Sequence, residues 1–101
     1  MSDNCLLSLV VSPAAADSIT DWLLAQDTVS GFSSHAIAGH GSSEHSMSLA
    51  EQVAGKRGQI MFQLHMRCDD ARTLVQRLKQ DFSGSGMHYW LLPVIESGHL
   101  A

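Results

Sequence analysis

Basic residues are scarce in this 101-residue sequence: six Lys and Arg stand against ten Asp and Glu, for a formal net charge of −4. Affinity for phosphate backbones comes mainly from clustered Lys and Arg, so this balance argues against a nucleic-acid partner. Long apolar runs are missing as well. Nothing approaches the ~18 residues that a membrane span requires, and the run Leu6 to Val11 is broken by Ser8, so no direct membrane insertion is expected. The start, Met1-Ser2-Asp3-Asn4, lacks the basic segment of a signal peptide, which makes the cytoplasm the expected compartment. Two cysteines, Cys5 and Cys68, are too few and too far apart in the chain to announce a disulfide scaffold or a Cys-x-x-Cys site. Neither a nucleophile elbow nor a paired-carboxylate motif occurs, and most Asp residues fall at expected helix ends or surfaces. The expectation is a non-enzyme.

What is present reads as one small globular domain. Hydrophobic residues make up 45% of the chain, enough for a single core. Asn4 to Val11 is apolar on both faces, with Cys5, Leu7, Leu9 and Val11 on one and Leu6 and Val10 on the other, as in a central strand. Ser12 offers a helix N-cap and Pro13 suits the first helical position. The helix is expected to reach about Gln26, with Ala15, Ile19, Trp22 and Leu23 as its apolar stripe. A second strand follows, from about Phe32 to Ala38.

Gly58 to Cys68 alternates, with Ile60, Phe62, Leu64, Met66 and Cys68 on one face. Asp69 is the expected cap of a second helix whose stripe is Ala71, Leu74, Val75, Leu78 and Phe82. Gly84-Ser85-Gly86 ends it. Met87 to Ile95 reads as the last strand, and Pro93 within it demands an edge position or a bulge. Two β-α-β halves in tandem predict an α+β, ferredoxin-like βαββαβ fold, an antiparallel sheet of order 4-1-3-2 with both helices on one face.

That arrangement leaves Leu6, Val10, Ile37, Met61, Trp90 and Leu92 on the helix-free face. This is too apolar for water, and an oligomer interface is the reading adopted over a shift of register. His35 and His65 share the same face. Antiparallel strands one and three bring Cys5 and Cys68 to one end of the sheet, as two buried thiols or as a redox pair.

The connection Gly39 to Arg57 stands out, because hairpin loops are typically about two to five residues long. Its first half is rich in glycine and serine. Its second half carries a capping box, Ser48-Leu49-Ala50-Glu51, with Gly55 as a C-cap. This connection and the turn Ser83 to Gly86 emerge at one end of the sheet. Glycine-turn N–H groups suit anions, which makes Gly39, Gly41, Gly84 and Gly86 candidates for a ligand site. Lys56 and Arg57 supply the nearest positive charge, and His88 follows the glycine turn directly. A second set, His40, Glu44, His45 and Met47, offers imidazole, carboxylate and thioether groups to a divalent metal, although no zinc spacing is matched.

Val29-Ser30-Gly31-Phe32, Gly39-His40-Gly41, Leu49 to Gly55, and His88-Tyr89-Trp90 followed by Pro93-Val94 resemble an uncharacterised bacterial PII-like family, often encoded beside heavy-metal efflux pumps. The resemblance implies a homotrimer, a T-loop at Gly39 to Arg57, a second cleft loop at Ser83 to Met87, and small ligands such as nucleotides bound between subunits. The glycine turn departs from the wider group in carrying no lysine or arginine for a triphosphate. A regulatory or sensor protein that engages a partner, such as a membrane transporter, through its long loop is the expected function. Direct metal binding through His40 and His45, or a purely structural interaction module, are the alternatives.

Overall fold

The computed structural model describes residues 3–41 and 57–101. Within them, β1 (Asn4–Val11) leads through a 3-10 turn (Pro13–Ala15) into α1 (Ala16–Leu24). β2 (Ser33–Gly39), β3 (Arg57–Arg67), α2 (Cys68–Asp81) and β4 (His88–Pro93) follow. The strands form one antiparallel sheet in the order β2-β3-β1-β4. This is the ferredoxin-like order expected from the sequence, read from the other edge. β1 is central because it is apolar on both sides: Leu7, Leu9 and Val11 are buried under the helices, and Val10 is buried on the far face.

The core lies between the sheet and the helices. Ile19 and Leu23 of α1 and Ala71, Leu74, Val75 and Leu78 of α2 pack on Leu7, Leu9, Val11, Phe62, Leu64 and Met66. The stripe of α2 recurs at helical spacing, so burying it brings a whole helix face onto the strands. The two helices are also joined directly. Trp22 Nε1 donates to Asp81 Oδ2 at 2.8 Å, and the Trp22 and Phe82 rings meet edge to face at 5.8 Å. Phe32, just before β2, packs on Phe62 and closes the other side of the core.

Several boundaries differ from expectation. Pro13 opens a 3-10 turn rather than the α-helix itself, the Ser12 side chain makes no capping bond, and α1 stops at Leu24 rather than Gln26. Asp69 is not the cap of α2: Arg67 holds that position without a side-chain bond, and Asp69 and Asp70 lie in the first turn. There their charges favour the positive end of the helix dipole. The backbone explains the shift, since the Cys68 N–H donates to the Asp3 carbonyl at 2.8 Å and is satisfied without a cap. β4 ends at Pro93, on an edge as proline requires, and does not reach Ile95. Gly39 pairs with Arg57 inside the sheet, so the long connection shrinks to residues 40–56. The capping box and Gly55 lie outside the described residues.

Cys5 and Cys68 form a disulfide across a sequence separation of 63. Of the two readings open from the sequence, two buried thiols or a redox pair at one sheet end, the structure has the pair bonded. The β1–β3 register sets Asn4 opposite Arg67, which brings residues 5 and 68 together at the end of the ladder.

Candidate functional site

Pairing register assigns the helix-free face residue by residue. Leu6, Ser8 and Val10 of β1 lie beside His65, Gln63 and Met61 of β3. On the outer strands His35 sits opposite Met61, Ile37 opposite Gln59, Trp90 opposite Ser8 and Leu92 opposite Leu6. The apolar residues expected on this face are therefore all on it. His35 and His65 are both exposed there but do not meet within one chain. Met61, the partner of His35, is four positions from His65 along β3, or about 13 Å at the usual rise of a strand.

Where β2 ends and β3 begins, this face hollows into a cavity of about 430 Å³. Val10, Ile37, Met61 and Trp90 form its apolar walls, and Gly39, His40, Gly41, Arg57, Gln59 and His88 bring backbone and polar groups to it. Gly39 leaves room at the rim for the Gln59 carboxamide, which a Cβ there would run into. Arg57 supplies a permanent positive charge, and its fork of donors suits a carboxylate or phosphate.

Five of the residues singled out from sequence thus line one cavity: Gly39, His40, Gly41, Arg57 and His88. Gly84 and Gly86 do not join them. They border a second hollow of about 230 Å³ on the helix side, with Leu9, Val75, Leu78 and Phe82. Both glycines have positive φ, 78° and 75°, which accounts for glycine at these two positions. The turn is also less open to an anion than expected. The Ser85 N–H donates to the Phe82 carbonyl and the Met87 N–H to Ser85 Oγ. Tyr89 borders both hollows, and Lys79 lies over its ring at 5.4 Å.

Lys56, Glu44, His45 and Met47 lie outside the described residues, so of the candidate metal ligands only His40 has a place, at the cavity. Among the described residues no three His, Cys, Asp or Glu side chains gather in a metal-binding group. No helix among them is long and apolar enough to cross a membrane.

Over residues 1–101 the chain matches the family described as "Protein of unknown function (DUF3240)". It belongs to that family. A crystal structure of a DUF3240 family protein from Shewanella baltica OS155 is 25% identical over 100% of both chains, with a TM-score of 0.81. CPII, described as a nitrogen regulatory PII-like protein from Thiomonas intermedia K12 bound to ADP, AMP and bicarbonate, is 18% identical. It is covered over 87% of its length by 88% of this chain, with a TM-score of 0.64. No curated protein matches. The fold of this DUF3240 chain is thus PII-like, in agreement with the resemblance carried by its motifs.

Several residues of the DUF3240 cavity were not among the ligand candidates read from sequence. Val10, Ile37, Met61 and Trp90 stood only as interface residues, and Gln59 and Tyr89 had no assigned part. Strand alternation does carry the missing signal: Val10, Ile37, Gln59, Met61 and Trp90 share their face with Gly39, Arg57 and His88 once register is known.

Proposed function

We propose that this DUF3240 protein is a PII-like regulatory subunit that binds a small anion bearing a flat ring, of the nucleotide class, in the Gly39–Arg57–His88 cavity. The reading rests on one observation above the others: groups from β1, β2, β3 and β4 converge on a single hollow of about 430 Å³. That size falls within the roughly 300–1,000 Å³ of small-molecule sites, and such sites combine apolar walls with a few placed polar groups. Arg57 would take the anionic group, His40 and His88 would add donors, and Trp90 offers a ring face for stacking. CPII, which shares the fold, is described as bound to ADP, AMP and bicarbonate.

The helix-free face supports an assembly of three copies, because Trp90 and Leu92 are 41% and 50% exposed on a side that no helix covers. In such an assembly the cavity lies at the face where copies meet, so a bound ligand and the assembly bias one another. The finer reading is that the connection 40–56, which leaves the sheet at this cavity, engages a partner. The role assigned is binding rather than catalysis.

Isothermal titration with AMP, ADP, ATP and bicarbonate tests the cavity. Binding of at least one titrant is expected, weakened about tenfold or more in Arg57→Ala, the worth of a charge-assisted hydrogen bond. Absence of heat with all four, or an Arg57→Ala variant that binds as the wild type does, would sink the reading.

A further inference from the structure

The β1–β3 register brings three sulfur-bearing residues together at the sheet end opposite the cavity. Cys5 is joined to Cys68 with their Cα atoms 5.0 Å apart, and Met66 stands directly across the ladder from Cys5. Cys5 and Met66 are only 6% and 8% exposed. Their Cβ atoms share one face, where directly opposed residues are about 5 Å apart. Cys68 is the first residue of α2.

We infer that, with the disulfide reduced, Cys5, Cys68 and Met66 form a soft-metal site selective for monovalent copper. Two thiolates and a thioether are the ligands that Cu(I) prefers, and Cu(I) is content with two or three of them. Structural zinc requires four ligands, and sulfur here supplies three. The carboxylate of Asp69, in the first turn of α2, is 88% exposed and lies 3.8 Å from Arg72. The proposal is independent of the cavity, since no residue is shared.

The chemistry balances with a thiol reductant. Two reductant thiols transfer two electrons and two protons to the Cys5–Cys68 bond and leave joined as their own disulfide. Cu(I) then displaces the two protons and bonds to both sulfurs, with no change in its oxidation state. In the oxidised protein the same two sulfurs are bonded to each other, so no thiolate is available. Redox state therefore switches the site on and off.

The test is anaerobic titration of the full chain with Cu(I) against a bicinchoninate competitor, before and after reduction and removal of the reductant. The reduced protein is expected to hold about one equivalent, with a sulfur-to-copper charge-transfer band and a raised thermal midpoint, and the oxidised protein none. Met66→Leu, a change that keeps volume, should retain the stoichiometry and lose about tenfold in affinity. Equal copper binding by oxidised and reduced protein, or no retention by reduced protein, overturns the site. So does Cys5→Ser binding as tightly as wild type, or Met66→Leu matching it. Should Cys5→Ser fail to fold, the oxidised wild type supplies the same comparison with its fold intact.

Discussion

Gly39 borders the cavity, and its lack of a side chain leaves room for the Gln59 carboxamide. Its backbone is that of an ordinary strand, paired with Arg57; a Cβ would clash with the far end of Gln59 and meet the Arg57 carbonyl oxygen at an ordinary 3.5 Å. Gly39→Val should therefore fold, since a β-branched residue suits a strand, while pushing the Gln59 amide into the hollow. The expected result is ligand affinity reduced about tenfold or more, with stability changed by about 1 kcal/mol or less. Unchanged affinity would show that the ligand sits elsewhere. Arg57 and Gly39 were both legible as candidates from their neighbourhood in the sequence, a glycine-rich run and a basic pair. Gln59 was not, because nothing marks a strand glutamine as facing a cavity until its cross-strand partner, Ile37, is known.

At the level of elements, α2 is held at both ends. Its first residue is cross-linked to β1, and near its last turn Asp81 accepts the indole N–H of Trp22. The cross-link spans 63 residues of chain. By loop-closure entropy such a link stabilises the fold by about 4 kcal/mol, although measured values run lower. Urea unfolding of the reduced, metal-free protein should therefore show a loss of about 2–4 kcal/mol relative to the oxidised form. An unchanged midpoint would mean that the unfolded chain gains little freedom when the link is cut. The stripe of α2 was readable because it is local, each apolar residue one turn from the next. Its start was misplaced because the group that satisfies the Cys68 N–H is the Asp3 carbonyl, far away in sequence.

For the whole molecule, the proposed assembly rests on the sheet's uncovered side. Leu92 is half exposed there and does not line the cavity, so it separates assembly from ligand contact. Leu92→Glu places a charge where apolar surface would be buried in the proposed assembly; light scattering should show a trimer for the wild type and a monomer for the variant, with an unchanged circular dichroism spectrum. A monomeric wild type would remove the basis for the assembly.

Sequence alone determined the elements, their order and the two-sidedness of β1, because periodicities of two and 3.6 are properties of short segments. It also singled out most of the polar groups around the cavity. Only tertiary structure decided that Gly84 and Gly86 part company with Gly39 and His88, and that Cys5 and Cys68, expected at one sheet end, are bonded with Met66 alongside. These outcomes depend on strand register. A slip of one residue would turn each side chain to the other face, and no local pattern states which residue of β3 lies across from which residue of β1.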